Sequence, residues 1–245
     1  MRLLGRIARR LMRSGNEVID PDMLADGIKF PAYDRAMVAC DTRKYDSISK
    51  RCRNYSMYRV LLSVLHGESP AQGAVGEVGC WKGQSAHIIA DTLATFYAYS
   101  PRDTPRFYIF DSFEGLSLYR GEDGPQSIND MERRRKFFTA DESKVASNLS
   151  DFSFVSIHKG WVPEKFPVTA GDKFMFLHVD VDLYHPTLET IGWFYPLMLE
   201  GGAMVFDDYG LKQFPGATRA VDECLDFFKP SFFYPAPTGG AFLIK

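Results

Sequence analysis

A chain of 245 residues, 45% hydrophobic and 24% charged, is long enough to bury one large core and has the balance of a globular protein rather than a disordered or fibrous one. Its formal net charge of −2 gives no general attraction to nucleic acid. No run approaches the roughly 18 to 20 apolar residues of a membrane span, and four cysteines without C-x-x-C spacing read as reduced thiols of a cytoplasmic protein rather than a disulfide framework.

Residues 1–13 carry Arg2, Arg6, Arg9, Arg10 and Arg13 against Leu3, Leu4, Ile7, Ala8 and Leu11, which predicts a basic amphipathic helix. It lacks the long apolar stretch of a signal peptide and suits a membrane surface, a partner subunit or its own domain equally. Residues 14–50, punctuated by Pro21, Gly27 and Pro31, predict loops and short helices. We therefore divide the chain into an N-terminal segment (1–54), acting as lid or oligomer contact, and one domain (55–245). A helix is expected over 55–66, ending at Gly67, with Tyr55, Met57 and Tyr58 either covering a ligand or packing in the core.

From there strands and helices alternate. The first strand runs from residue 73 into a glycine loop, and a helix follows to about 99. The second strand covers 106–111, and a charged insertion over 118–140 contains the helix formers Glu132 to Lys136. A short helix (142–149) precedes the third strand (152–158), which ends at Lys159-Gly160-Trp161. The fourth strand (174–179), a helix (187–199) stopped by Glu200-Gly201-Gly202, the fifth strand (203–206) and a last helix (217–228) complete the alternation. Residues 232–234 and 241–244 read as closing antiparallel strands. This order predicts an α/β, Rossmann-like, doubly wound sheet, mostly parallel, with an antiparallel C-terminal strand and an N-terminal helical lid.

In such sheets ligands bind at the carboxyl ends of the strands. Asp180 and Asp182 close the fourth strand, and Asp207 and Asp208 close the fifth. Four carboxylates offer only oxygen, which suits a hard cation, Mg²⁺ or Mn²⁺; taken alone, Asp182 reads as a turn former. In Glu77-Val-Gly79-Cys-Trp-Lys-Gly83 the glycines allow a tight strand-to-helix turn. The G-x-x-x-G spacing differs from that of dinucleotide binders, and Glu77 beside the loop favours an ammonium-bearing ligand. Asp111, ending the second strand, is placed to accept both hydroxyls of a ribose, and Trp161, next to Gly160, to lie against a purine. On successive strand ends these features describe S-adenosylmethionine.

Residues 75–85, Phe110-Asp-Ser-Phe-Glu-Gly-Leu116, Lys159-Gly-Trp161, His178-Val-Asp-Val-Asp-Leu-Tyr184 and the stretch 199–210 together resemble the macrocin O-methyltransferase family. The resemblance implies a metal-dependent transfer of methyl from S-adenosylmethionine to a sugar hydroxyl of a glycosylated small molecule. It assigns the cofactor to Glu77, Gly79, Gly83, Ser85, Asp111 and Ser112, and the cation to Asp180, Asp207 and Asp208. It makes Asp180 a general base and implies a homo-oligomer; by position and chemistry His185, whose ordinary pKa suits proton transfer, and Asp182 are further candidates, with Asp180 ranked first and His185 second. Tyr184-His-Pro-Thr187 and the insertion depart from the family pattern, so the acceptor is less defined than the chemistry. The rival readings are a metal-dependent phosphoesterase and a non-catalytic cofactor-binding protein.

Overall fold

Short runs of branched and aromatic residues form β1 (Ala74–Val78), β2 (Phe107–Asp111), β3 (Val155–Lys159), β4 (Phe174–Val179), β5 (Met198–Phe206), β6 (Phe232–Pro235) and β7 (Ala241–Ile244). They pair in the order β3-β2-β1-β4-β5-β7-β6. The five β1–β5 strands are mutually parallel, and β7 runs antiparallel to both β5 and β6. The sheet order reverses between β1 and β4, which opens a crevice at their carboxyl ends. The computed structural model describes residues 30–67, 73–125 and 127–245. The basic helix expected over residues 1–13 lies outside the described residues.

Helices cover both faces. Alternate side chains along each strand point to opposite sides. Val75, Phe107, Ile109 and Met175 meet α1 (Pro31–Ala39), α2 (Ile48–Leu65) and α3 (Gln84–Phe96) on one face. Val78, Phe110, Leu177 and Val179 meet α6 (Tyr184–Phe194) and α7 (Pro215–Phe228) on the other. Helix starts are specified locally. Ser47 accepts the Lys50 N–H at the head of α2, and proline occupies the first turn of α1 and α7. Two further helices, α4 (Ile128–Phe137) in the insertion and α5 (Glu142–Asn148) after it, begin at Ser127 and Asp141, whose side chains accept first-turn N–H groups. Among the described residues no helix is long and apolar enough to cross a membrane.

Three expectations change. The helix expected from residue 55 begins at Ile48, so the boundary drawn at 54/55 falls inside α2 and no linker separates the two parts. The Ser47 cap nucleates the helix through the polar run Ser49 to Asn54, ahead of the start expected at residue 55. Met57 is buried at 1% exposure, and Tyr55 and Tyr58 pack on Phe30, so these three belong to the core rather than to a lid. The helix expected to reach residue 199 stops at Phe194, because Pro196 cannot continue the hydrogen-bonding pattern. Strand β5 then starts at Met198, and its glycines create a bulge: the β4 partner register jumps from Phe174↔Met198 to Phe176↔Ala203.

Candidate active site

The carboxyl ends of β1, β2, β3, β4 and β5 open into one cleft of about 940 Å³, a size that holds a drug-sized ligand or more. Gly79, Asp111, Ser112, Gly160, Trp161, Asp180, Asp182, His185, Asp207 and Asp208 all line it. Four flanking residues from the α2 side, Tyr45, Ser47, Lys50 and Arg53, complete the wall and were not anticipated.

The acids form its floor. Asp180, Asp207 and Asp208 each present an oxygen atom within 4.8 Å of the others. Asp208 Oδ2 also accepts the backbone N–H of Asp182 at 2.9 Å. That bond holds Asp182 in a left-handed conformation, φ 62°, and buries it at 5% exposure. Burial, then repulsion from neighbouring aspartates, raises the carboxyls of Asp180, Asp182 and Asp208 well above the usual carboxylate range. Three oxygen donors strained by like charge are the donor set a hard divalent cation relieves, so these residues fit one.

Positive charge reaches the acids from α2. Arg53 Nε donates to Asp207 Oδ2 at 2.8 Å, with both side chains largely buried. Lys50, one turn earlier on the same helix, lies with Nζ 5.3 Å from the Trp81 ring centre. Burial lowers its pKa, against the pull of Asp180 and Asp207.

The glycine loop is pinned to both neighbouring strands. Gly79 adopts φ 84°, and a Cβ there would fall 1.8 Å from the Asp180 carbonyl oxygen, so only glycine fits. Asp111 Oδ2 accepts the N–H groups of Cys80 and Trp81 at 2.7 and 2.8 Å, and Oδ1 accepts that of Phe113 at 2.7 Å. A carboxylate has about four acceptor positions. With three committed to backbone, Asp111 retains one for a ligand hydroxyl, not the pair expected from sequence. Ser112 is spent similarly: its hydroxyl accepts from Glu114 N–H and donates to the Gly115 carbonyl.

Three expected cofactor residues lie away from the cleft. Glu77 points into the core on the α2/α3 side, fully buried, where Oε1 meets Nδ1 of the cross-strand residue His178 at 2.8 Å. Burial opposes an imidazolium there, but Glu77, with Asp180 and Asp207 beyond, outweighs it and raises the His178 pKa above its ordinary value. The other Glu77 oxygen, Oε2, is buried without a partner. Every position of β1 is buried, so sequence alternation gave no clue to which side Glu77 takes. Gly83, at φ 81°, precedes the first residue of α3, and Ser85 sits in that helix's first turn. Both shape the turn without lining the cleft.

His185 does face the cleft. Its Nε2 lies 3.3 Å from Arg120 Nη1 and 3.8 Å from Glu122 Oε2. A guanidinium only donates, so Nε2 accepts from Arg120. The insertion that carries Arg120 is clamped by Asp123, whose Oδ1 accepts the Tyr184 N–H at 2.7 Å and whose Oδ2 accepts the Arg120 N–H at 2.9 Å. Asp123 thereby supplies the start of α6 with the acceptor that its own preceding residue, Leu183, lacks.

A parallel sheet with this strand order, a glycine turn after β1 and acids at the ends of β4 and β5 is the class I methyltransferase fold. The family model Macrocin-O-methyltransferase (TylF) matches residues 49–227, and the chain belongs to that family. Demethyldecarbamoylnovobiocin O-methyltransferase of Streptomyces niveus is 30% identical over 157 residues, covering 62% of this chain and 57% of that protein. Mycinamicin III 3''-O-methyltransferase of Micromonospora griseorubida is 26% identical over 161 residues, covering 63% and 61%. These matches therefore span about three fifths of each relative's length. Among solved structures, the calicheamicin methyltransferase CalS11 superposes with a TM-score of 0.67 at 18% identity, over 98% of this chain and 90% of that one.

Proposed function

We propose that the protein is an S-adenosylmethionine-dependent, divalent-cation-dependent O-methyltransferase acting on a hydroxyl of a sugar or glycosylated small molecule. The observation that carries this reading is the juxtaposition, in one cleft, of the pinned glycine turn and the Asp180–Asp207–Asp208 cluster. When bound, S-adenosylmethionine supplies an electrophilic methyl group and Mg²⁺ or Mn²⁺ supplies Lewis acidity toward a hydroxyl oxygen.

The chain's own residues do the rest. Asp111 offers its remaining lone pair to a ribose hydroxyl, and Gly79, Gly160 and Trp161 form the surface for the nucleoside. Asp180, Asp207 and Asp208 are the cation ligands. Asp180, a carboxylate that lines the cleft among the proposed cation ligands, is the base that takes the acceptor proton. His185 ranks below it, since its Nε2 already accepts from Arg120. Asp182, buried and tied through its backbone to Asp208, acts by holding the turn rather than by proton transfer. The residues of both halves line one cleft, so cofactor and acceptor would be held side by side, the arrangement that methyl transfer between them would need.

A cytoplasmic setting belongs to the same reading, supported by four buried, unpaired thiols at Cys40, Cys52, Cys80 and Cys224. Self-association does too, supported by the exposed aromatics Phe227, Phe232 and Tyr234 near the β6 edge.

The test is thermal unfolding with S-adenosylhomocysteine and Mg²⁺, separately and together, against a chelator control. Each ligand that binds only the folded state raises the midpoint. A response to Mg²⁺ without any to S-adenosylhomocysteine would overturn the methyltransferase and favour a phosphoesterase.

A further inference from the structure

We infer that Arg53 is a resident counter-ion of the acid cluster, sharing Asp207 with the divalent cation and setting how tightly that cation is held. The inference rests on the metal-dependent reading above and adds a positioning residue to it.

Three contacts fix the Arg53 side chain. Nε donates to Asp207 Oδ2 at 2.8 Å, and Nη1 donates to Ser49 Oγ at 2.9 Å one turn earlier on α2. The side-chain stem lies against the β6–β7 turn, where Cβ atoms built on Gly239 and Gly240 would sit 3.7 and 3.5 Å from Arg53 Cδ. Only 15% of the Arg53 side chain is exposed, and 12% of Asp207. A solvated surface pair would hold neither side chain so firmly.

The crowding of acids at the cleft floor calls for such a counter-ion. Asp180, Asp182, Asp207 and Asp208 lie there, and α2 brings Lys50 and Arg53 to the same cleft. Without the ion, Arg53 is the only cationic side chain among the described residues in salt-bridge contact with any of the four acids. Guanidinium and metal ion repel across the shared carboxylate, so Arg53 lets the fold stand without metal at the expense of metal affinity.

The experiment titrates Mn²⁺ into the full-length protein, free of cofactor and acceptor, following the free-ion signal by electron paramagnetic resonance. Wild type, Arg53→Gln and Arg53→Lys are compared at one pH and ionic strength, and thermal midpoints are recorded in chelator and in saturating Mn²⁺. Arg53→Gln should bind Mn²⁺ at least about tenfold tighter, the scale of removing one repelling charge at this range. Its midpoint should fall more in chelator than in Mn²⁺, in the extreme to a protein folded only with the ion. Arg53→Lys, which keeps the charge, should stay close to wild type in both measurements. Unchanged or weaker Mn²⁺ binding by Arg53→Gln overturns the inference, as does an equal loss of midpoint in both conditions or failure to fold even with Mn²⁺. If wild type itself binds no Mn²⁺, the metal reading falls and the inference falls with it; wild-type binding with an unaltered variant sinks the inference alone.

Discussion

Asp111→Ala separates two roles that one carboxylate could play. If Asp111 serves only a ribose, removing it weakens cofactor binding and leaves the empty protein as stable as before. The geometry gives it a second task, because three backbone N–H groups converge on it at 2.7 to 2.8 Å. Hydrogen bonds to a charged acceptor contribute about 1.5 to 3 kcal/mol each when buried. Asp111 is partly exposed to the cleft, so water can replace part of each bond. Trp81, held at φ 49°, would also lose the bond that keeps it in a left-handed conformation. The expected loss is about 2 to 3 kcal/mol in all, or roughly 4 to 12 °C in midpoint for a chain of this size. Urea unfolding of wild type and variant, both without cofactor, measures it. A difference below about 0.5 kcal/mol, the range of an ordinary surface change, would refute the loop-pinning role.

The raised carboxyls of Asp180, Asp182 and Asp208 carry a pH dependence with a definite sign. The folded chain binds more protons than the unfolded one above the ordinary aspartate range, so this contribution is complete in acid and is lost as pH rises through the folded values. The raised His178 acts in the same direction. Each proton involved costs about 1.4 kcal/mol per pH unit across that window. In chelator the midpoint should therefore fall as pH rises above the ordinary aspartate range, and saturating Mg²⁺ should flatten the fall; a chelated midpoint that rises with pH contradicts the assignment. Asp123→Ala should lower unfolding stability by about 2 to 3 kcal/mol, since two backbone donors lose a buried carboxylate. S-adenosylhomocysteine affinity should be unchanged, because Asp123 lies on the insertion side; calorimetric titration showing a large loss would mean that the insertion also shapes the cofactor half.

The strand ends were legible because apolar runs break off into carboxylates, and Asp180, Asp207 and Asp208 do converge as their positions at neighbouring strand ends required. What the sequence could not reveal is direction and saturation. Glu77 lies in a strand buried on both faces, where alternation says nothing about which side is lined by ligand. Asp111 looks like a free acceptor until the loop amides that occupy it are located. Lys50 falls in the stretch expected to hold loops and short helices, and Arg53 precedes the helix expected from residue 55, so neither pointed to the site. Only the pairing of α2 with the β5 end turns them toward the acids. Met57 and Tyr58 looked as suited to a lid as to a core, and the packing of Phe30 decides for the core.

The insertion leaves the domain and returns to it at one narrow neck. Glu114 bridges Thr139, and the Ala140 N–H donates to the Phe113 carbonyl. Chain between those points is a loop already closed by backbone pairing, and doubling such a loop's length costs only about 0.6 kcal/mol of further closure entropy. Everything that holds the cation ligands enters from other elements. A recombination that swapped the segment between residues 115 and 138 but kept an Asp123 equivalent on the start of α6 would thus exchange one wall of the cleft while the strand ends stayed in register, so the specificity and the chemistry of this fold can drift at different rates.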